Sequence, residues 1–389
     1  MESVIHQSII FLGLVSAAAW VYLLLGRGFF WLEQPMAAPA DSPCSPPVVA
    51  IVPARNEATT IDAVVRGLLA QDYPGTFRIV LVDDHSTDGT TEVAVGAAKS
   101  AGAAERFAAV SAPPLPSGWS GKLWAIHTGC DYACQRWPET VYLLLTDADI
   151  LHPKYNLRGL VARAERSSVS GHSLVLVSLM ARLSCRTIAE KLTIPAFVFF
   201  FEMLYPFSWV RDPRRRTAGA AGGVMLVQRS ALERTGGIQV IRGALIDDCS
   251  LAAVLKRQGP IWLGLSRDTV SLRPHSGIKS IWKMIARTAF TQLGHSMLLL
   301  AGTLAGLSVV YLVPPLLLAS SSRCAAALGA LAWIMMTLAY WPTVFLYRLN
   351  PLWTAALPLT TLIYAGATVD SARRYWLGRG GEWKGRAQA

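Results

Sequence analysis

Long stretches without a single charged residue lie at both ends of this 389-residue chain. An α-helix needs about 20 predominantly apolar residues to cross a bilayer. We therefore predict an uncleaved membrane anchor within residues 1–34 and two or three transmembrane helices within residues 297–372. The uncharged stretches behind this prediction are residues 9–25, 297–319, 325–346 and 352–369.

A cleaved signal peptide is the alternative for the amino-terminal stretch, but no basic segment precedes it and no small-x-small site follows it. Four complete spans would place both termini on the same side, opposite the central region. The tail at residues 373–389 is basic, however, and the positive-inside rule favours a cytoplasmic position for it. Either one carboxyl-terminal segment does not cross the membrane, or the tail is an exception to the rule.

The composition agrees with a membrane protein. Hydrophobic residues make up 52% of the chain and charged residues 16%, whereas soluble domains carry about a quarter charged residues. This excludes a disordered chain and disfavours a wholly soluble one. The net charge of +11 favours an anionic membrane surface over nucleic acid, because the basic residues cluster beside apolar segments. The six cysteines form no CxxC pair, which is typical of packing residues in a reducing compartment.

Alternating strand and helix patterns between the two ends predict an α/β domain, which we place at residues 48–280 after a Pro-rich linker at 35–47. Such alternation is typical of a Rossmann-like, mostly parallel sheet with helices on both faces. Ligands bind at the carboxyl ends of its strands, and the polar sequences PARNE, DDHSTDGT and TDAD follow three predicted strands here. The predicted strands are 48–52, 78–82 and 141–145, with helices at 57–70, at 88–100 and after Lys122.

Two pairs of carboxylates follow predicted strands. Asp147 and Asp149 lie in TDAD, and oxygen ligands of this kind suit Mg²⁺ or Mn²⁺, which can bridge a diphosphate. A solvated turn gives the same sequence, so the pattern alone leaves both interpretations open. Asp83 and Asp84 suit hydrogen bonds from a base or a ribose, or a capped turn.

Two predicted helix starts carry further candidates. Lys122 follows a glycine-containing loop and begins a helix, a place suited to a phosphate, although no Walker A motif is present. Asp247 and Asp248 begin a later helix, where one suits a helix cap and the other a general base for a hydroxyl proton. The small residues at 218–223 allow either close approach of a ligand or tight packing.

Two further segments are predicted to lie at the membrane interface, at residues 192–210 and 281–296. The first is apolar and aromatic-rich but interrupted by two prolines and Glu202, and a buried core helix is the alternative. The arginines that follow it suit either anionic headgroups or a solvated basic face. They are Arg211, Arg214, Arg215 and Arg216.

Six motifs in order resemble the inverting family 2 glycosyltransferases, which have the GT-A fold. They are PARNE, VDDHSTDGT, GWSGKLWAIHTG, TDAD, AAGGVMLVQRSALERTGG and IDDCSLA, and the resemblance covers residues 48–295. With RRRTAGAAGG, SLRPHSG and MIARTAFTQLGHS added, the pattern is most similar to the membrane-bound glycosyltransferases associated with bacterial hopanoid biosynthesis. This implies a nucleotide-sugar donor, UDP-linked, a divalent metal, a lipid acceptor and a multi-pass protein of the bacterial cytoplasmic membrane whose catalytic domain faces the cytoplasm.

The resemblance also implies roles for individual residues. Asp149 and Asp147 would bind the metal, with Asp147 also facing the ribose. Asp248 matches the catalytic base, and Asp247 would orient it or the acceptor, although the family usually has Glu-Asp at these two positions. The donor would be bound by Pro53, Arg55, Glu57, Asp84, Lys122 and Asp147, with Lys122 near the uracil or the diphosphate.

One motif of many membrane relatives is altered. Where they carry QxxRW, this chain has KMIART, which keeps Arg287 as a predicted diphosphate contact and lacks both Gln and Trp. The loss weighs against a processive polysaccharide synthase. We therefore expect transfer of a sugar, with inversion, to a membrane lipid hydroxyl, with a hopanoid as the favoured acceptor. The alternatives are transfer to a polyprenyl phosphate and a non-catalytic protein that binds a nucleotide sugar or a lipid.

Overall fold

The computed structural model describes residues 2–36, 45–166, 173–275, 277–378, 382–383 and 386–387. Most of the predicted linker at 35–47 and much of the basic tail lie outside the described residues. The α-helices are α1 (Glu2–Val21), α2 (Ile61–Leu69), α3 (Thr90–Ser100), α4 (Gly121–Arg136), α5 (Asn156–Glu165), α6 (Ile188–Leu204), α7 (Phe207–Arg211), α8 (Arg229–Arg234), α9 (Asp247–Leu255), α10 (Ile278–Gln292), α11 (Met297–Leu307), α12 (Val313–Leu317), α13 (Arg323–Leu346) and α14 (Leu357–Trp376).

The strands of the described residues form one large sheet and one small hairpin. The strands are β1 (Val48–Ala54), β2 (Phe77–Asp83), β3 (Phe107–Ser111), β4 (Tyr142–Thr146), β5 (Ile150–Leu151), β6 (Leu176–Arg182), β7 (Val224–Gln228), β8 (Ile261–Ser271), β9 (Glu382–Trp383) and β10 (Arg386–Ala387). The large sheet has the order β3-β2-β1-β4-β7-β6-β8-β5, and β9 pairs with β10.

By its internal contacts the chain divides into two compact units. We call the first the helical unit, which comprises Met1–Glu33, Cys185–Ser208 and His275–Gly380. We call the second the sheet unit, which comprises Gln34–Ser184, Trp209–Pro274 and Gly381–Ala389. The domain boundaries predicted from the sequence stay predictions.

The sheet confirms the predicted α/β class and is mixed in direction. The pairs β1–β2, β2–β3, β1–β4 and β6–β8 are parallel. Strand β7 runs antiparallel to both of its neighbours, β4 and β6, and β5 runs antiparallel to β8. The parallel half therefore contains the three predicted strands, and β7 joins it to the second half.

The central strands are buried because their sequences are apolar on both faces, as expected for parallel strands covered by helices. All seven residues of β1 are buried. Helix α4 lies close to this part of the sheet, since Gly129 has no side chain. A Cβ atom at this position would lie 2.6 Å from Ile51 Cγ2 and 2.8 Å from Val82 Cγ2.

Two details of the parallel half and its helices differ from the sequence prediction. Strand β3 was not predicted, because FAAVS is short, contains two alanines with low strand propensity, and lies only half-buried at an edge of the sheet. Helix α2 begins at Ile61 and not at 57. Residues 57–60 form a turn instead, in which the Glu57 carbonyl accepts the Thr60 N–H at 2.9 Å.

Four helical segments of the described helical unit are long and apolar enough to cross a membrane, by length and composition. They are Val4–Gly26, Met297–Leu317, Arg323–Leu346 and Pro351–Trp376. Within this unit, the Trp20 Nε1–H donates to the Val310 carbonyl at 2.8 Å, which ties the first segment to the second. Pro358 lies in the first turn of α14, where a missing N–H costs little.

The predicted interfacial segment 192–210 contains most of α6 and most of α7. Helix α6 is largely buried inside the helical unit, where Phe199 packs against Tyr340 and Phe200 against Tyr364, with ring centroids 5.2 and 4.9 Å apart. These contacts agree with the alternative of a buried helix. A position of this segment at a membrane interface stays a prediction.

The close approach at Gly129 gives a stability prediction. We expect Gly129→Ala to destabilise the protein by about 1–3 kcal/mol, because the β-branched side chains of Ile51 and Val82 cannot easily move aside. The matched control is Gly96→Ala in α3, where an added Cβ meets nothing within 4 Å, and we expect about 0.5–1 kcal/mol of stabilisation. Thermal unfolding of the full chain in detergent measures both, and equal shifts for the two variants would contradict the packing argument.

Candidate functional site

The carboxyl ends of β1, β2 and β4 lie side by side, because these strands are adjacent and parallel. Ala54 is paired with Asp83, and Ile51 with Leu145. The sheet therefore places the residues just after these strands at one edge, as the sequence predicted. Pro53 lies in the buried end of β1, immediately before this edge.

Arg55 and Asp84 form a pair at this edge. The Arg55 Nη1 donates to the Asp84 carbonyl at 2.6 Å and lies 3.4 Å from its carboxylate Oδ2. Asp84 is 1% exposed, and its N–H donates to the Ala54 carbonyl at 2.8 Å. The neighbouring Asp83 accepts the Ser86 N–H at 3.2 Å, so Asp83 caps the turn, which was one of the two interpretations of this acidic pair.

Lys122 lies between carboxylates from two other segments. It is at the start of α4, which is capped by the Ser120 hydroxyl accepting the Leu123 N–H at 3.3 Å. Its Nζ is 2.9 Å from Asp147 Oδ1 and 3.2 Å from Asp247 Oδ2. The structure thus brings together three of the predicted site residues, and the contacts of Lys122 are with carboxylates.

The pKa values of these groups follow from their surroundings. Loss of hydration lowers the pKa of Lys122, but the charges of Asp147, Asp247 and Asp248 outweigh it and raise the pKa above its ordinary value. Withdrawal from water raises the pKa of Asp147, and the Asp149 charge adds to this while Lys122 opposes it. The lysine of this cluster therefore stays charged, and Asp147 ionises less easily than an exposed aspartate.

Asp149 belongs to a second cluster, which contains a residue that the sequence reasoning missed. The Arg273 Nε donates to Asp149 Oδ2 at 3.1 Å, and its Nη2 donates to Glu57 Oε1. The Ser271 hydroxyl also donates to Asp149 Oδ2, at 2.9 Å. Pairing of β5 with β8 brings these residues together, since Ile150 is opposite Ser271. The sequence signal that could have identified Arg273 is its position in SLRPHSG, directly after an apolar strand.

Asp248 lies at the start of α9 and accepts two backbone hydrogen bonds. The Gly222 N–H donates to its Oδ2 at 2.9 Å and the Cys249 N–H to its Oδ1 at 2.7 Å. Its pKa is nonetheless raised to about 6, because it is withdrawn from water and lies near the negative charge of Asp247, against the opposing effects of Lys122 and the two N–H groups. A carboxylate with such a pKa is suited to accept a proton near neutral pH.

The small residues at 218–223 allow the backbone to approach these charged groups. A Cβ atom on Gly222 would lie 3.3 Å from Asp248 Oδ2 and 3.4 Å from Lys122 Nζ. The close approach predicted for this segment is therefore an approach to the chain's own charged side chains. A side chain at Gly222 would displace Asp248 or Lys122.

Arg287 and Arg211 are two further arginines named in the sequence prediction. Arg287 lies on α10 in the helical unit, with its side chain exposed, and its contact with a diphosphate stays a prediction. Arg211, which the sequence analysis placed either at lipid headgroups or on a solvated face, instead donates from Nη2 to the Leu263 carbonyl at 2.7 Å. It also packs over the Trp262 ring at 4.8 Å, because a guanidinium can satisfy a carbonyl and stack on an aromatic ring together.

The described residues contain no group of three or more His, Cys, Asp or Glu side chains that could hold a metal ion by themselves. Asp147 and Asp149 do provide two carboxylates in one turn. Mg²⁺ is commonly held by one or two carboxylates together with the phosphates of a substrate. The residues present therefore fit a metal that binds together with a diphosphate, and do not form a cage for a metal alone.

Comparisons with known proteins identify similar sequences and folds. Residues 49–236 match the family model described as Glycosyl transferase family 2. No curated protein sequence matches the chain. Among solved structures, a mannosyltransferase, PcManGT, from Pyrobaculum calidifontis in complex with GDP-Man and Mn²⁺ aligns with 95% of this chain and 99% of its own, at 19% identity and a TM-score of 0.58.

Two other solved structures are less similar. Glucosyl-3-phosphoglycerate synthase from Mycobacterium tuberculosis, in complex with Mg²⁺ and uridine diphosphate, covers 68% of this chain and 87% of its own, at 18% identity and a TM-score of 0.41. Mannosyl-3-phosphoglycerate synthase from Rubrobacter xylanophilus covers 65% and 76%, at 18% identity and a TM-score of 0.39. The family model and the mixed sheet lead to one conclusion. Residues 49–236 match a glycosyltransferase family 2 domain, and the chain shares the GT-A fold of the Pyrobaculum mannosyltransferase.

Proposed function

We propose that this chain is an inverting glycosyltransferase that moves a sugar from a UDP-linked donor to a hydroxyl of a membrane lipid, a hopanoid. The observation that carries the proposal is the cluster around Lys122. It combines two carboxylates paired with the lysine, Asp147 and Asp247, with a third, Asp248, whose pKa is raised to about 6. A base near a diphosphate-binding edge is what transfer to a hydroxyl requires.

The donor is assigned to the carboxyl ends of β1, β2 and β4. Its nucleotide would contact Pro53, Arg55, Glu57, Asp84 and Asp147, and its diphosphate would lie near Lys122. Asp149 and Asp147 would hold a divalent ion, which supplies positive charge to the departing diphosphate. The GDP-Man and Mn²⁺ named for the Pyrobaculum mannosyltransferase support a nucleotide sugar and a metal. The choice of UDP rests on the resemblance of the motifs.

Asp248 is assigned as the base. Its carboxylate would accept the proton of the acceptor hydroxyl as the oxygen attacks the anomeric carbon from the face opposite the diphosphate, which inverts the configuration. The two N–H groups of Gly222 and Cys249 hold this carboxylate in place. Asp247 would orient the acceptor, and its charge raises the pKa of Asp248, so that the proton is accepted more readily.

The lipid acceptor and the membrane position rest on the helical unit and on the motifs. Four segments long and apolar enough to span a membrane suit an enzyme whose acceptor stays in the bilayer. We propose a multi-pass protein of the bacterial cytoplasmic membrane with the sheet unit facing the cytoplasm, where nucleotide sugars are made. Arg287 is retained as a diphosphate contact.

Two other functions remain as alternatives. A polyprenyl phosphate acceptor is already ionised and needs no strong base, so it would make Asp248 dispensable. A non-catalytic nucleotide-sugar or lipid-binding protein would need neither Asp149 nor Asp248. The paired acids around Lys122 and Arg273 favour a catalytic protein over a binding protein. The raised pKa of Asp248 favours a hydroxyl acceptor over a phosphate.

The direct test is a donor screen with the purified full chain, a membrane lipid extract and Mn²⁺ or Mg²⁺. We expect a mass increase of one sugar on a hopanoid lipid with a UDP-sugar, and its loss on metal removal or in Asp149→Ala. A product formed only with GDP-sugars would overturn the choice of nucleotide, and a product on another lipid the choice of acceptor. Donor hydrolysis that is unchanged in Asp149→Ala would overturn the metal assignment.

A second test separates the two kinds of acceptor. We expect Asp248→Asn to lower transfer to a lipid hydroxyl at least about 10²-fold, as loss of a general base typically does, while donor binding is kept. The matched control is Asp62→Asn on the exposed face of α2, where Asp62 pairs with Arg66, and it should keep full activity. Activity of Asp248→Asn within a few fold of the wild type would indicate a phosphate acceptor.

The raised pKa of Asp248 gives a pH prediction. The base must be ionised to accept a proton, so kcat/KM should be constant above pH 7 and fall as the pH drops through about 6. The decrease should approach tenfold per pH unit. An initial-rate profile from pH 4.5 to 8.5, with donor binding measured in parallel, checks this, and a profile that is flat from pH 5 to 7 would contradict the role of Asp248.

A further inference from the structure

We propose that a chain of four buried side chains in the sheet unit positions the catalytic base relative to the metal-binding carboxylates. These side chains do not touch the substrate in the mechanism above, so they are positioning residues. The inference rests on the proposed function, in which Asp248 is the base. The four residues are Thr146, His152, Asn156 and Thr269.

The four side chains are linked by consecutive hydrogen bonds. Thr146 Oγ1 is 2.9 Å from the Gly223 carbonyl and 2.9 Å from His152 Nε2. His152 Nδ1 is 2.7 Å from Asn156 Nδ2, and Asn156 Oδ1 is 3.3 Å from Thr269 Oγ1. All four residues are at most 4% exposed. Water therefore does not compete for these bonds, and each broken bond leaves a buried polar group unpaired.

The donor and acceptor groups of these side chains determine the direction of each of their hydrogen bonds. The Gly223 carbonyl can only accept, so the single Thr146 hydroxyl proton is donated to it, and His152 must donate from Nε2 to Thr146. A neutral His152 then accepts at Nδ1, from the Asn156 amide N–H, which leaves Asn156 Oδ1 to accept from Thr269. Burial lowers the pKa of His152 to about 4, which agrees with a neutral ring in a single tautomer.

This series of hydrogen bonds ends at the backbone segment that holds the catalytic base, Asp248. Thr146 directly precedes Asp147, and the Gly223 carbonyl also accepts the Asp147 N–H at 3.4 Å. The adjacent Gly222 donates its N–H to Asp248 Oδ2 at 2.9 Å. A single carbonyl group therefore joins the TDAD segment to the loop on which Asp248 depends.

A second buried hydroxyl holds the same loop from β6. The Ser178 hydroxyl accepts the Ala221 N–H at 2.9 Å and donates to the Ala221 carbonyl at 3.2 Å. The loop consists of small residues that have no long side chains to anchor it, so backbone hydrogen bonds fix its position. Misplacement of a reacting group by about 1 Å can cost about 10²-fold in rate, which makes the position of this loop important for catalysis.

The test compares Thr146→Val with Thr146→Ser in the full chain in lipid nanodiscs. Valine keeps the shape and removes both hydrogen bonds, whereas serine keeps the hydroxyl. We expect Thr146→Val to lower kcat about tenfold or more, with the KM for the donor changed less than twofold, and Thr146→Ser to stay within about threefold of the wild type.

The matched control is Thr140→Val. Thr140 is also 4% exposed, and its hydroxyl donates to the Trp137 carbonyl at 2.7 Å, outside the chain. It should lose thermal stability and keep kcat. A kcat of Thr146→Val equal to that of the wild type, or a serine variant as poor as the valine variant, overturns the inference. A wild type without any transfer overturns the proposed function instead.

A second measurement covers the case in which Thr146→Val does not fold, and it needs no activity. With ¹⁵N-labelled histidine in the wild-type chain at pH 7, the signal assigned to His152 by its loss in His152→Gln should show a protonated Nε2 and an unprotonated Nδ1. The opposite tautomer, or a mixture of the two tautomers, overturns the proposed series of hydrogen bonds. Thr269→Val should then shift these signals, since it removes the donor to Asn156.

Discussion

The site depends on the ion pairs between Lys122 and the carboxylates around it. Asp147 follows β4, while Asp247 and Asp248 begin α9, so three like charges meet from two distant segments of the chain. Such charges cannot all stay ionised and close together without a cation. The position of the lysine is fixed in turn by the start of α4, and α4 packs closely on the sheet because Gly129 has no side chain.

The two acids of TDAD are held by different cations. Asp147 pairs with Lys122, whereas Asp149 pairs with Arg273, which also binds Glu57. Each of the two acids is therefore compensated by a cation from a different segment of the chain. The edge of the sheet therefore presents several carboxylates, of which Asp147 and Asp149 would hold a divalent ion together with a phosphate in the proposed function.

The sequence was sufficient for the parts of the fold that rest on local pattern. Long apolar runs predict β1, β2 and β4, and the polar residues after them predict Asp84, Asp147 and Asp149 at one edge. Strand β3 was missed because two alanines give it little strand propensity. Arg273 was missed for another reason. Its contact with Asp149 depends on the pairing of β5 with β8, which joins residues more than a hundred positions apart and leaves no periodic pattern in the chain.

The antiparallel pairing of β4 with β7 has a consequence for how this protein can change over evolution. Thr146 is opposite Val224 in this pairing, so the TDAD segment and the loop that contacts Asp248 meet through sheet register. The chain between them includes α6, which belongs to the helical unit and takes no part in this pairing. Insertions or exchanges in α6 can therefore accumulate while the spacing between the TDAD segment and this loop is inherited unchanged.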